Sequence, residues 1–200
     1  KALIVKMFVQ NLEFIETKNF EYLLIHKTGC QSVLKTFDSK KIKQVMNENK
    51  QSGKFCWTVL RDPKERFISG LSHNLSISNI ELEELNIKQL LFNTIDSQLR
   101  TISLIPLTIL QSTYLIGSRI NMFVKHQDLN NFLKINFNVS FHENKGSLVI
   151  KNKVKKFINT NKKFKETLEK YLEIDYFIYQ QVLKSNKFWH WQLGKVIKDE

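Results

Sequence analysis

Cross-linking chemistry is almost missing from this sequence. Only two cysteines occur in 200 residues, Cys30 and Cys56. They form no CxxC pair, so a disulfide framework is excluded and a zinc site would need histidine to complete it. A reducing compartment is the plain expectation, with a single disulfide left open. No apolar run approaches eighteen residues, so no segment can span a bilayer as a helix. Internal repeats and long low-complexity tracts are absent, which excludes a repeat architecture. The opening stretch KALIVKMFVQNLEF has a short apolar patch but no small-residue cleavage site after it. It reads as a strand, or a trimmed chain end, rather than a signal peptide. The two prolines and the richness in Lys, Asn, Ile and Phe point to an AT-rich genome and say nothing of mechanism. Asn74-Leu75-Ser76 and Asn138-Val139-Ser140 have the glycosylation pattern, but so Asn-rich a chain produces such triplets by chance.

Against these absences stand 42% hydrophobic and 12% aromatic residues, enough for one domain (1–200) with a real core. The formal net charge is +12, from 31 basic and 19 acidic residues. Such an excess favours a partner that carries phosphate or is polyanionic. Much of it is diffuse lysine, as in KNKVKKFINTNKKFK (Lys151 to Lys165), where a solvated helix face is the first expectation.

Strand and helix patterns alternate along the chain. Glu21 to Ile25 reads as a strand, followed by a turn over Lys27 to Cys30 and a helix carrying Val33, Leu34 and Phe37. DSKKIKQVMNENKQSGK is expected to be a polar helix or loop. FCWTVL (Phe55 to Leu60) is uncharged, β-branched and aromatic, and too short for a buried helix, so it is a core strand. After Pro63 a helical pattern places Phe67, Ile68 and Leu71 on one face. IELEELNIKQLLFNTI is an amphipathic helix, and YLIG and NMFVKH read as two short strands around Gly117 and Ser118. QDLNNFLKINF is a further helix, SFHENKGSL a loop, and Lys163 to Leu183 a long helix or a pair. Together these elements predict an α/β fold with a mainly parallel sheet covered by helices on both faces. In such sheets ligands collect at the carboxyl ends of strands, and two polar segments fall there.

The first is HKTGCQS (His26 to Ser32). Strand, lysine, glycine-containing turn and helix start make a phosphate cradle: free backbone N–H groups face the ligand, Lys27 adds a point charge, and Thr28 and Ser32 offer hydroxyls. It is no Walker A loop, because Lys27 precedes the glycine. The second is RDPKERFIS (Arg61 to Ser69). Pro63 suits the first helical position and Asp62 can cap the helix, so the turn is rigid. Capping explains Asp62 and Pro63 but not Arg61 at the end of a buried strand. Arg66 is expected to brace the turn against an acid, Asp62 first.

Taken together, HKTGCQS and LRDPKERFIS resemble the two cofactor signatures of sulfotransferases that use 3′-phosphoadenosine 5′-phosphosulfate (PAPS). The likeness is to the carbohydrate-type membrane and Golgi enzymes and their microbial and viral relatives. All five fixed positions of R-D-P-x-x-R-x-x-S are present, which chance gives in roughly one unrelated chain in ten thousand. The resemblance implies a P-loop-like fold. It also implies that Lys27, Thr28, Gly29, Cys30, Gln31 and Ser32 hold the 5′-phosphosulfate, and that Arg61 and Ser69 hold the 3′-phosphate. His142, Asn144 and the loop Lys145, Gly146, Ser147 resemble a later segment that closes over the nucleotide. His26 departs from the usual Pro, and Cys30 and Gln31 from small hydroxyl residues.

The implied reaction is attack of an acceptor hydroxyl on sulfur, with Lys27 and the helix N-terminus stabilising charge on the leaving phosphate. The product is 3′-phosphoadenosine 5′-phosphate, and no metal is expected. A general base should be an acid or histidine; Glu48, Asp38 and His73 are the candidates, in that order. His126 and His142 read as structural or loop histidines. The acceptor is expected to be a glycan, with nucleic acid and a membrane span not expected. The compartment would be cytoplasmic for a microbial or viral chain and the Golgi lumen for a trimmed eukaryotic one. Two rivals remain: a P-loop-like kinase, which would want GxxxxGK[ST] and a magnesium-holding Asp, and a non-catalytic basic domain binding nucleic acid or glycan. For the latter, Phe164, Leu168, Leu172 and Phe177 recur at helical spacing, which reads as core rather than a stacking platform.

Overall fold

The computed structural model describes residues 12–17, 19–37, 42–45, 54–77, 110–115, 120–139, 148–184, 189–192 and 195–198. They form a mixed α/β structure. Its elements are β1 (Leu12–Glu16), β2 (Phe20–Leu23), α1 (Cys30–Thr36), β3 (Ile42–Val45), β4 (Phe55–Leu60), α2 (Pro63–Ile77), α3 (Gln111–Leu115), β5 (Met122–Lys125), α4 (Leu129–Phe137), α5 (Leu148–Thr160), α6 (Lys162–Tyr171), α7 (Glu173–Lys184), β6 (Trp189–Gln192) and β7 (Lys195–Lys198). Residues 1–61, 111–144 and 179–200 group into one compact unit, and 62–110 and 145–178 into a second. No helix among the described residues is long and apolar enough to cross a membrane.

The first unit is built on a five-stranded sheet in the order β3-β1-β2-β4-β5. β2 pairs with β4, and β4 with β5, in parallel; β1 is antiparallel to both β2 and β3. Four strands therefore run one way and β1 opposes them, so the sheet is mainly parallel in direction. Thr17 makes the β1–β2 turn, its Oγ1 accepting the Phe20 N–H at 3.0 Å, while Lys54 ties it down through Glu16 Oε1 and the Thr17 carbonyl, each at 2.8 Å. Strand alternation sends Ile15, Tyr22, Trp57, Val59, Met122 and Val124 to one face, where Val33 of α1 and Leu129, Phe132 and Leu133 of α4 cover them. Trp57 is the centre of this layer, with ring centroids 4.5 Å from Tyr22 and 4.8 Å from Phe132. Such aromatic pairs add about 0.5–1.5 kcal/mol each beyond the area they bury. On the other face Leu23, Cys56, Thr58 and Leu60 are buried as well. That double burial explains why FCWTVL carries no polar alternation.

In the second unit α2 packs its Phe67, Ile68 and Leu71 with Val154 and Ile158 of α5 and Phe164 and Leu168 of α6. The spacing of these residues at three and four positions gives each helix one apolar stripe. Asn161 caps α6, its Oδ1 accepting the Phe164 N–H at 3.0 Å. Glu65 of α2 is bonded by two lysines of α5, Lys155 at 2.6 Å and Lys151 at 3.3 Å.

Two expected elements differ from what forms. The charge of KIKQV predicts helix or loop, but Ile42–Val45 is a strand. Among the described residues it lies at the end of the sheet and pairs on one side only, where polar sequence is tolerated. Tyr114 and Leu115, expected in a strand, belong to helix α3, whose first residue is held by tertiary hydrogen bonds described below. The terminal stretch does form a helix pair, α6 and α7. IELEELNIKQLLFNTI lies outside the described residues.

Candidate functional site

The chain leaves β2 through buried Leu24 and Ile25 and turns over residues 26–29. The Thr28 hydroxyl donates to the Ile25 carbonyl at 2.7 Å, so this fully buried side chain serves the turn itself. Lys27 sits in the left-handed region at φ 65°, and Gly29 at φ 99°. Glycine reaches that region freely. A lysine there costs on the order of 1 kcal/mol, a strain that surrounding contacts must hold and that tends to gather at functional positions. Gly29 then opens α1, its carbonyl accepting from the N–H groups of Ser32 at 3.0 Å and Val33 at 3.2 Å. Ser32 is buried and Gln31 exposed.

Because β2 and β4 are adjacent and parallel, their carboxyl ends lie side by side. Arg61 is the first residue past β4, half-buried, and its Nη1 donates to the Lys27 carbonyl at 3.3 Å. The Arg61 backbone is gripped in turn by Gln111. The Arg61 N–H donates to Gln111 Oε1 at 3.0 Å, and Gln111 Nε2 donates to the Arg61 carbonyl at 2.9 Å. At the opposite end of β4, the Cys56 N–H donates to Asn121 Oδ1 at 2.7 Å and the Asn121 N–H to the Cys56 carbonyl at 2.8 Å. β4 is thus closed at one end by both groups of the Gln111 side-chain amide and at the other by the Asn121 side-chain oxygen and backbone N–H.

Electrostatics at this corner favour an anion. Burial holds the Lys27 ammonium below the ordinary lysine value; the Cys30 sulfur opposes this in part, and the Arg61 guanidinium adds to it. Two cations placed this close repel one another, and a negative ligand between them would relieve that repulsion. Burial pushes the Cys30 thiol up, although backbone N–H groups of Lys27 and Gln31 and the Lys27 charge pull against it. Cys30 is therefore a protonated thiol at neutral pH rather than a nucleophile.

The remaining motif residues belong to the second unit. Asp62 Oδ1 accepts the Glu65 N–H at 2.8 Å, making it the cap of α2, and Pro63 is the first helical residue. Ser69 is half-buried on α2, and His73, one turn later, is exposed. Arg66 donates its backbone N–H to the Asp62 carbonyl at 2.9 Å. Its side chain, 1% exposed, is turned into the unit's interior. Its charge acts on Tyr171, as does that of buried Asp175: burial first, then the Asp175 carboxylate, raises the Tyr171 hydroxyl to about 12, with Arg66 opposing. Glu48, Asp38, His142, Asn144, Lys145, Gly146 and Ser147 lie outside the described residues. His126 opens a short 3-10 turn after β5. Among the described residues no group of three or more His, Cys, Asp or Glu side chains is arranged to hold a metal ion.

Sequence reasoning passed over Gln111, because a glutamine inside TILQSTYLIG carries no pattern that points to Arg61, 50 residues earlier. Comparison with known proteins finds no family model, no curated protein and no solved structure that matches this chain.

Proposed function

We propose that this protein is a sulfotransferase that moves a sulfuryl group from PAPS to an acceptor hydroxyl, a carbohydrate hydroxyl first, on a P-loop-like α/β architecture. The observation that carries the reading is the juxtaposition of Lys27 and Arg61 at the carboxyl ends of adjacent parallel strands, with Lys27 in a left-handed turn. Each belongs to one of the two sequence signatures, HKTGCQS and RDPKERFIS.

The donor set suits the group. A half-buried ammonium and a guanidinium, set beside a glycine-bearing turn, are the chemistry that binds phosphate and sulfate oxygens. PAPS, when bound, supplies an activated sulfuryl group on a phosphate leaving group. Lys27 Nζ would carry positive charge toward the oxygen on which negative charge develops, from a backbone set by the left-handed turn. Arg61 would bind a phosphate remote from the transfer, contributing orientation rather than chemistry. The resemblance also gives Ser69, on α2 of the second unit, a phosphate-binding hydroxyl.

Thermal shift and titration calorimetry with adenosine 3′,5′-bisphosphate, with ATP and magnesium, and with DNA test the reading. Stabilisation by the bisphosphate above both others is expected. A preference for ATP with magnesium would favour the kinase reading, and a response to DNA alone the basic binding domain. No response to the bisphosphate by folded protein would overturn the proposal.

A further inference from the structure

We infer that Gln111 is a positioning residue and that helix α3 is the brace that sets both cationic side chains of the site. The inference rests on the reading of Lys27 and Arg61 as an anion site. The ladder between β4 and β5 ends at Leu60, paired with Lys125, and that between β4 and β2 at Thr58, paired with Leu23. Arg61 therefore lies one residue beyond the hydrogen-bonded strand. Gln111, 3% exposed, supplies the missing partner from the first residue of α3. Its amide oxygen takes the Arg61 N–H at 3.0 Å and its amide nitrogen gives to the Arg61 carbonyl at 2.9 Å.

Asparagine and glutamine offer a donor and an acceptor on one planar amide, as a peptide does. Fixing both backbone groups fixes the direction in which the Arg61 side chain departs, which is toward the Lys27 carbonyl. One turn further along α3, the Tyr114 ring lies 6.1 Å from the His26 ring at 76°, an edge-to-face contact. His26 immediately precedes Lys27. The five-residue helix thus touches the base of each cation, Arg61 through Gln111 and Lys27 through His26. Lys27 and Arg61 also meet directly, so the three segments close a ring.

The test is a double-mutant cycle read by titration calorimetry, with adenosine 3′,5′-bisphosphate and, separately, inorganic pyrophosphate as probes. Gln111→Ala should weaken binding about tenfold, the size of a lost pair of buried hydrogen bonds. Gln111→Met, which keeps the volume, should do the same and serves if the alanine variant does not fold. In the Arg61→Ala background either substitution should cost nothing more, because the side chain to be aimed is gone. Wild-type affinity in both Gln111 variants would overturn the inference. So would losses that multiply with that of Arg61→Ala, since a general structural role predicts independence. If the wild type binds pyrophosphate but not the bisphosphate, the sulfotransferase reading fails while the pyrophosphate cycle still decides the role of Gln111. If it binds neither, both fail.

Discussion

The Arg61 guanidinium donates to the Lys27 backbone carbonyl across 3.3 Å, joining residues 34 apart in sequence. A positive charge is thereby held against a strained turn whose own side chain is a second positive charge. In the ligand-free protein this arrangement costs stability through like-charge repulsion. Such a cost is borne where a site requires it.

Arg61→Ala should weaken binding of adenosine 3′,5′-bisphosphate by about one to two orders of magnitude, the range for a charge-assisted hydrogen bond lost from a partly shielded site. Arg61→Lys should recover only part of this, because an ammonium cannot reproduce the planar fork. Calorimetric titration of the three proteins checks both statements, and the unfolding temperature of the alanine variant should stay near that of the wild type.

Lys27 gives the site a pH dependence whose sign is fixed. Its folded-state value lies below the ordinary 10.5, so between the two values the unfolded chain holds more protons and the free protein gains stability as pH rises. Anion binding requires the protonated form. Affinity for the bisphosphate should therefore fall on the alkaline side before pH 10.5 is reached. Lys27→Arg should move that fall to higher pH, and titrations across pH 7 to 10.5 would detect the difference.

Much of this corner is legible in the sequence, and the reason is local. HKTG and RDPKER are short, each is fixed by its own turn chemistry, and a capped proline start is a near-neighbour rule. Phe55–Leu60 was likewise readable because burial on both faces leaves an unbroken apolar run. What could not be read depends on partners far along the chain. Ile42–Val45 is a strand because β1 pairs with it, and Gln111 matters because Arg61 ends a ladder. The burial of Arg66 beside Asp175 and Tyr171 is of the same kind. No window around Arg66 contains either partner.

Cys30 should react slowly with iodoacetamide at pH 8, at least tenfold below an ordinary exposed thiol, because burial both raises its value and blocks access. Denaturation should restore the ordinary rate. If Cys30 were a nucleophile of the reaction, Cys30→Ser would abolish turnover; substitution by the similar-sized hydroxyl is expected to retain it. Mass-spectrometric alkylation kinetics with Cys56→Ala as background separate the two buried thiols.

Glu65 should govern acid stability of the second unit. Burial acts to raise its carboxyl, but the Lys155 and Lys151 ammonium groups bonded to it prevail and lower it below the ordinary 4.5. The contribution is fully present above pH 4.5 and is lost as pH falls through the lowered value. Glu65→Gln should flatten that part of the stability curve while changing stability at pH 7 by less than about 1 kcal/mol, since the pair is partly solvated and screened. Urea unfolding between pH 3 and 7 distinguishes the two proteins.

Alkaline titration should reveal the buried polar corner around Arg66. Burial, with Asp175 adding and Arg66 opposing, takes the Tyr171 hydroxyl to about 12. Burial, with Asp62 as the largest charge adding to it, takes Tyr176 to about 12 as well. Below the ordinary 10.0 both phenols are protonated in folded and unfolded chains alike, so the shift costs nothing. Between 10.0 and about 12 the unfolded chain has released protons that the folded one keeps, so stability falls as pH rises through this window. Tyrosinate absorbance from Tyr171 and Tyr176 should therefore rise near 12 in the folded protein and near 10.0 once the chain is unfolded. Asp175→Asn removes a negative charge beside Tyr171 and should bring its titration down, whereas Arg66→Met should push it further up. Opposite shifts in the two variants are the signature of a shared electrostatic pocket, because loosening of the packing alone would lower the value in both.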